Sequence, residues 1–60
     1  MILVFVEHID FQPKKSSLEA LNFANSLSTI DSGEVKAIYL GTRELSINLG
    51  VFGVKEVYRI

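Results

Sequence analysis

The sequence predicts an α/β fold, with a parallel three-stranded sheet in a three-layer, Rossmann-like arrangement, element order β-α-β-α-β and strand order 3-2-1. Strand patterns alternate with capped helical patterns in units of roughly twenty residues, which is typical of parallel strands joined by right-handed crossovers. The first strand pattern is apolar almost throughout. Such a strand is expected to be covered on both faces by helices.

The first strand is predicted over Ile2–Glu7, a run rich in β-branched and apolar residues that follows Met1 directly. The run is too short to span a bilayer and has neither the basic lead-in nor the cleavage site of a signal peptide, so we expect a buried strand. Residues 8–15 interrupt the apolar pattern with Asp10 and Pro13. This interruption predicts a loop that leads into the first helix.

The tetrapeptide from Ser16 to Glu19 is typical of a capping box, in which the serine hydroxyl and the glutamate carboxylate each accept a hydrogen bond from the other residue's backbone amide. The first helix is therefore predicted to begin at Ser16. It should end near Thr29 or Ile30, because residues 31–33 (Asp-Ser-Gly) are turn-forming. Helical spacing predicts an inward stripe of Ala20, Phe23, Ala24, Leu27 and Ile30, widened by Leu18 and Leu21.

A second strand is predicted within residues 34–41, at Val35–Leu40, and Thr42 is a candidate N-cap for a second helix. This helix would bury Leu45, Leu49 and Phe52, which follow one another at i, i+4 and i+7. Gly53 is the natural residue to end it, and Val57–Ile60 is predicted as the third strand.

The composition excludes several classes of function. The chain has 60 residues, a formal charge of -1 and no cysteine. Nucleic-acid binding is not expected, because no basic patch is available to neutralise phosphates. Disulfides and thiolate metal sites are excluded, and the cytoplasm is the expected location.

We expect the 60 residues to be the amino-terminal part of a larger domain. A domain of this size buries only about 60% of its unfolded surface and is marginally stable alone. In doubly wound folds of this type the first strand is central and pairs with a fourth strand as well. That strand is absent from the sequence, so an apolar edge of the kind that recruits another chain should be left open.

Four segments, in order and spacing, resemble the opening of electron transfer flavoprotein alpha subunits. They cover nearly the whole chain: Met1–His8, Lys15–Ala24, Gly33–Ala37 with Leu40-Gly41, and Leu49–Tyr58. The loop at Asp10 is less rich in glycine than is usual in the family.

The resemblance implies a scaffold and subunit-interface segment that occupies residues 1–60 of an alpha subunit. Members of the family pair with a beta subunit and relay electrons from dehydrogenases to a quinone reductase or similar acceptor, through FAD bound mainly by the carboxy-terminal part of alpha. The resemblance thus implies a heterodimeric electron carrier of the bacterial cytoplasm rather than an enzyme. The family's flavin-binding motif lies beyond residue 60, so no cofactor-binding residue is assigned here.

His8 is the strongest single candidate for chemistry, because it follows the first strand at the carboxyl edge of the sheet, where open α/β folds bind ligands. With Glu7 and Asp10 it could form a metal or acid-base cluster, although one histidine beside two carboxylates is a weak ligand pattern. A structural hydrogen-bonding role is the favoured interpretation. An alternative function, an adenine-nucleotide-binding α/β module, would use this edge near His8 and Gly41.

Three further features are better explained by structure than by a site. Ser16 and Ser17, near Lys14-Lys15, could hold an anion at a helix N-terminus, but capping alone explains them. Gly50 and Gly53 follow a helix rather than open one, which favours a helix stop over a phosphate loop. Phe11 is a candidate exposed anchor for a partner subunit. No catalytic or metal-ligating residue is assigned.

Overall fold

The computed structural model describes residues 1–31 and 33–60. The elements follow in the order β1 (Ile2–Phe5), β2 (His8–Ile9), β3 (Gln12–Pro13), α1 (Lys15–Asp31), β4 (Val35–Tyr39), a 3-10 helix (Leu49–Phe52) and β5 (Val54–Arg59). None of the helices in these two ranges has the length and apolar character needed to cross a membrane.

Three strands form one parallel sheet in which β4 lies between β1 and β5. Ile2 lies beside Val35 in β4, and Val35 lies beside Val54 in β5. The predicted α/β class with a parallel sheet is therefore confirmed. In chain-order labels the sheet is β1-β4-β5 rather than 3-2-1, because a hairpin adds two strands before the helix.

The sheet is covered on one face only among the described residues, so the predicted third layer is not formed by them. Successive right-handed crossovers that step in the same direction place both connections on the same side of a sheet. Accordingly, α1 and the 3-10 helix lie together against one face. Leu3 and Phe5 point to the other face and are 54% and 52% exposed, so β1 is not the doubly covered strand that its apolar sequence predicted.

Residues 8–15 do not form the predicted loop. β2 and β3 make a short antiparallel hairpin in which His8 lies beside Pro13. Its two-residue turn, Asp10 and Phe11, has φ values of 49° and 66°. These positive angles fit a tight hairpin turn, although such turns favour asparagine and glycine over a bulky aromatic residue. The turn sequence therefore gave no clear hairpin signal.

The first helix begins earlier than predicted and without the capping box. Ser16 is the second residue of α1 rather than its N-cap, and the first helical hydrogen bonds run to the carbonyl of Lys14 from the amides of Ser17 and Leu18, at 3.0 and 3.1 Å. The helix continues through Asp31, beyond the predicted end. The predicted turn at 31–33 includes residue 32, which is outside the described residues.

The face that α1 buries is rotated from the predicted stripe. Ser17, Leu21 and Ala24 are buried against the sheet. In contrast Phe23 is 67% exposed, and it belongs to a stripe that is exposed throughout: Ala20, Phe23, Leu27 and Ile30. Of the predicted inward residues only Ala24, Leu21 and, in part, Leu18 pack on the sheet.

The second predicted helix is replaced by a loop and the short 3-10 helix. Residues 42–47 are not helical, so Thr42 is not an N-cap. The N-cap of the 3-10 helix is Asn48, whose side chain accepts a hydrogen bond from the Gly50 amide at 2.9 Å. Leu49 is nevertheless buried, as predicted, and Gly53 ends the helix with φ 81°. The third strand starts at Val54, three residues before its predicted start.

The core lies between α1, the 3-10 helix and the covered face of the sheet. Among the residues that the structure describes, it consists of eight buried apolar side chains: Val6, Leu21, Ala24, Val35, Ala37, Tyr39, Leu49 and Val54. Alternate residues of β4 supply three of them, because side chains alternate between the two faces of a strand. The remaining residues of β4 point to the uncovered face.

Candidate functional site

The uncovered face of the sheet carries a mixed apolar and charged surface, which we term the open face. Its residues are neighbours across the three strands: Leu3, Phe5, Lys36, Ile38, Glu56 and Tyr58. The β1 side is apolar, with Leu3 and Phe5 both more than half exposed. The β5 side is polar. A face that is half apolar is suited to contact with another protein segment rather than with water alone.

One ion pair organises the polar half of the open face. The Lys36 ammonium lies 2.7 Å from a carboxylate oxygen of Glu56, and the Tyr58 hydroxyl donates to the same oxygen at 3.2 Å. The hydrogen bond to Glu56 raises the pKa of Lys36 above its usual 10.5. The hydrogen bonds from Lys36 and Tyr58 lower the pKa of Glu56 below its usual 4.5. The pair therefore remains ionised throughout the neutral range.

We expect the ion pair of Lys36 and Glu56 to make the stability of the fold depend on pH. Because the folded pKa of Glu56 is lowered, its contribution is present above the unfolded pKa and is lost as the pH falls through the lowered folded value. The variant Glu56→Gln should thus lose less of its stability on acidification from pH 5 to pH 3 than the parent chain. Urea denaturation at the two pH values measures the difference. Glu44→Gln, in the loop after β4, is the control; an unchanged acid dependence in Glu56→Gln would contradict the assignment.

The two edges of the sheet differ in charge. The Ile2 amide donates to the Glu34 carbonyl, just before β4, at 2.7 Å. The Val6 amide, just after β1, donates to the Ile38 carbonyl in β4 at 2.8 Å. Since alternate residues direct their backbone groups to opposite sides of a strand, the N–H and C=O groups of Leu3 and Phe5 point outward. β1 carries no charged residue, whereas β5, at the other edge, carries three: Lys55, Glu56 and Arg59. Charged residues are how edge strands avoid pairing, and β1 lacks them.

The exposed stripe of α1 lies beside the β1 edge. On the opposite flank of the helix, Asn25 contacts Gly53 at the end of the 3-10 helix. Phe23 is two residues, or about 200°, from Asn25 around the helix, so it faces the other way, toward β1 and beyond it. We term the combined region the β1-edge surface: the outward backbone groups of Leu3 and Phe5, with the stripe Ala20, Phe23, Leu27 and Ile30.

His8 has a structural position at the carboxyl edge of the sheet. Its Nδ1 accepts a hydrogen bond from the Phe11 amide at 3.1 Å, because an amide can only donate. The other nitrogen, Nε2, must then carry the proton and donate to the Leu40 carbonyl oxygen at 2.6 Å. In this arrangement His8 joins the hairpin to the end of β4, which is the structural hydrogen-bonding role favoured above.

The same position does not support the cluster considered for His8. Among residues 1–31 and 33–60 no three histidine, aspartate or glutamate side chains come together as metal ligands. The Glu7 carboxylate is instead 3.6 Å from the Lys14 ammonium. Both ring nitrogens of His8 are engaged by backbone groups, which favours the structural interpretation over acid-base chemistry.

Replacing His8 tests this role. In His8→Phe the ring stacking is retained, but the partly buried Phe11 amide and the exposed Leu40 carbonyl lose their partner, which should cost about 0.5–1.5 kcal/mol of the free energy of unfolding. Chemical denaturation measures the loss. Val51→Ala, at a position that is 77% exposed and outside the β1-edge surface, is the control; a His8→Phe variant as stable as the parent chain would show that the bridge contributes nothing.

Phe11 is used within the chain rather than as an exposed anchor. Its ring is half-buried and stacks on His8 with centroids 4.8 Å apart, while the Arg43 guanidinium lies 4.4 Å from the ring centroid. The Phe11 carbonyl accepts from the Ser46 amide at 2.7 Å. The ring also fills the space beside Gly41, where even an added Cβ would be only 2.5 Å from it. The edge proposed for an adenine nucleotide is thus occupied by the chain's own side chain.

The helix N-terminus is not organised for an anion. The Ser17 hydroxyl is buried and accepts from the Glu7 amide at 2.8 Å, so it ties α1 to the end of β1. The Lys14 ammonium is paired with the Glu7 carboxylate, which would repel a phosphate. These contacts favour the structural interpretation of the serines.

A shallow hollow of about 570 Å³ lies between the loop after β4 and the outer half of β5. Its floor includes Tyr39, Leu49 and Val57, and its rim includes Glu44 and Arg59. Residues 44–47 of its lining belong to a loop that lies where the second helix was predicted. Sequence reasoning missed it for the same reason.

The β1-edge surface and the open face are therefore the regions of the described residues whose chemistry best suits contact with another polypeptide. Sequence analysis anticipated the open edge but placed the α1 stripe inside the core. Comparison of the chain with protein-family models, with curated proteins and with solved structures gave no match.

Proposed function

We propose that this chain is a scaffold and subunit-interface segment of an electron transfer flavoprotein alpha subunit, in the amino-terminal Rossmann-like domain. Its β1-edge surface receives the next strand of that domain, and its open face receives the layer that covers it. The segment carries no electrons itself. It holds the flavin-bearing part of the protein against the beta subunit, while electrons pass from dehydrogenases to a quinone reductase or similar acceptor.

The contrast between the two edges carries the proposal. The β5 edge has the charged residues with which natural sheets prevent further pairing, whereas the outward groups of Leu3 and Phe5 are flanked by apolar side chains only. In a doubly wound sheet the first strand is interior and the third is nearer the rim. The distribution of charge supports that arrangement.

The exposed stripe of α1 supports the same arrangement independently. A strand added beside β1 would point alternate side chains toward α1, where Phe23 and Leu27 now contact solvent. Burial of Phe23 and its neighbours would stabilise the enlarged domain by about 1.5–3 kcal/mol per large side chain. The apolar periodicity of α1 is explained if the stripe becomes core in the complete domain.

The described residues do not themselves fit FAD. A dinucleotide needs backbone amides at a helix start with glycines that let the pyrophosphate approach. Here α1 starts at Lys15 without glycine, Ser17 is buried, and the space beside Gly41 is filled by Phe11. Under the proposal, flavin is therefore held entirely by polypeptide outside residues 1–60.

The test is a visible absorption spectrum of the polypeptide that contains this segment, purified with its partner subunit. An oxidised-flavin spectrum, lost reversibly on reduction by a dehydrogenase, is the expected result. A colourless protein that forms no heterodimer would refute the flavoprotein assignment. The spectrum of Leu3→Lys should show less flavin per protein if the β1 edge must pair for the domain to assemble, while Lys55→Glu on the β5 edge should be unchanged.

A further inference from the structure

We infer that the 60-residue chain on its own pairs with a second copy through the β1-edge surface, forming a two-fold dimer with one continuous six-stranded sheet. The inference goes beyond the proposed function, because it concerns how the chain satisfies this surface when no other polypeptide occupies it. It rests on the self-complementarity of three features: the strand register, the position of the helices and the absence of charge.

The register follows from the outward backbone groups. Within β1 only Leu3 and Phe5 direct their N–H and C=O groups away from β4. An antiparallel pairing centred on Val4 sets Leu3 of each copy opposite Phe5 of the other. Both outward residues of each copy then exchange hydrogen bonds, and the two Val4 residues meet at the axis as a non-hydrogen-bonded pair.

The helices fit the same axis. α1 packs over both β1 and β4, on the covered face of the sheet. With strands about 4.8 Å apart, a two-fold axis between the paired β1 strands would place the two α1 axes about 10 Å apart. Packed helices lie 8–10 Å apart, so the stripes that include Phe23 and Leu27 would come into direct contact.

The chemistry of the surface also suits a second copy. β1 and the α1 stripe contain no charged residue, so like charges do not meet across the axis. Phe23, which is 67% exposed, presents roughly 100–170 Å² of aromatic surface per copy, given 150–250 Å² for a whole aromatic side chain. Leu27 and Ile30 add aliphatic surface on the same flank of α1, and the paired β1 strands add directional backbone hydrogen bonds.

Sedimentation equilibrium of the 60-residue chain tests the inference. A dimer of about 13.4 kDa, twice the chain mass of 6.7 kDa, is expected at micromolar concentrations. Leu3→Pro removes one outward amide without touching the bonds to β4 and should weaken the dimer more than tenfold. Val57→Pro removes an outward amide from the β5 edge and should leave the dimer unchanged.

Helix variants keep the test decisive if a proline disturbs folding. Phe23→Glu places a charge on the stripe and should also weaken dimerisation more than tenfold, whereas Ser26→Glu, on the solvent side of α1, should not. Circular dichroism confirms that each variant is folded. A monomer at every concentration, or a dimer indifferent to both Leu3→Pro and Phe23→Glu, would overturn the inference.

Disulfide cross-linking tests the register separately. The chain contains no cysteine, so a single introduced cysteine can pair only with its counterpart in the second copy. Val4→Cys places two thiols at the axis, where Cα atoms of a non-hydrogen-bonded pair are about 4.5 Å apart and within disulfide reach. Mild oxidation should give a covalent dimer. Leu3→Cys, with its counterpart displaced along the strand, should cross-link at least tenfold more slowly; equal rates would exclude the Val4-centred register. If the chain does not dimerise, the proposed function is still tested separately by the flavin spectrum.

Discussion

Substitution of Leu21 by alanine is expected to remove roughly half of the free energy of unfolding at 25 °C. Leu21 has no exposed surface and lies in the centre of the core between α1 and the sheet. Leucine-to-alanine substitutions at such sites cost about 2–5 kcal/mol, through lost burial and the cavity that remains. A 60-residue domain has a total stability of only about 3–9 kcal/mol at typical values per residue, so this loss consumes much of it.

Equilibrium urea denaturation followed by circular dichroism measures the effect of Leu21→Ala. Leu40→Ala is the matched control, because the Leu40 side chain is more than half exposed and its loss creates no cavity. The control should change the free energy of unfolding by less than about 0.5 kcal/mol. Equal losses in the two variants would show that α1 does not pack on the sheet through Leu21.

Substitution of Gly53 by alanine is the second prediction with a large effect. Gly53 has φ 81° where the 3-10 helix ends and β5 begins, a conformation that costs an alanine about 1–2 kcal/mol. Its added Cβ would also collide with the side-chain amide of Asn25 on α1. Relief of that collision requires movement of α1 or of the turn, for which about 1–3 kcal/mol more is expected.

A double variant separates the two causes. Asn25→Ala removes the colliding amide, so Asn25→Ala/Gly53→Ala should recover the packing part of the loss while the φ penalty remains. Thermal or urea denaturation of the four proteins gives the coupling between the sites. Strict additivity would show that Asn25 does not lie against Gly53. Gly50→Ala is the comparison, since Gly50 does not have a positive φ; its added Cβ would lie 3.0 Å from Asn48 Oδ1, so a loss smaller than that of Gly53→Ala is expected.

The sequence predicted the strands better than their surroundings. β1 and β4 are short runs of β-branched and apolar residues that fit few other structures, and both were located within two residues of their ends. Parallel pairing followed from the intervening helix. The apolar character of β1 was attributed to burial on both faces, but among the described residues it reflects an open face and an unpaired edge.

The helical predictions failed where local signals competed with packing. Leu45, Leu49 and Phe52 have helical spacing, but Asn48 caps the Gly50 amide, and only four residues become helical. The apolar stripe predicted for α1 has the period of a helix, but most of it faces away from the sheet rather than toward it. Periodicity shows that a helix has an apolar side, whereas the small residues Ser17 and Ala24 decide how closely it approaches this sheet.

The candidate site was predictable only in outline. An open first strand follows from counting strands, and it was anticipated. The ion pair of Lys36 and Glu56 depends on the register between β4 and β5, which shifts after Val35, and the bridge from His8 to Leu40 depends on a hairpin with two positive φ angles. Neither long-range register nor an unusual turn can be inferred from local patterns.

Hydrogen exchange of individual backbone amides most directly tests whether the β1 edge is a pairing surface. At concentrations where the chain is assembled, the outward amides of Leu3 and Phe5 should exchange at least tenfold more slowly than the outward amide of Val57 at the β5 edge. Dilution should remove this protection, while the Ile2 and Val6 amides, which bond within the chain, stay protected. If Leu3, Phe5 and Val57 exchange equally fast at every concentration, the β1 edge does not pair and the account is wrong.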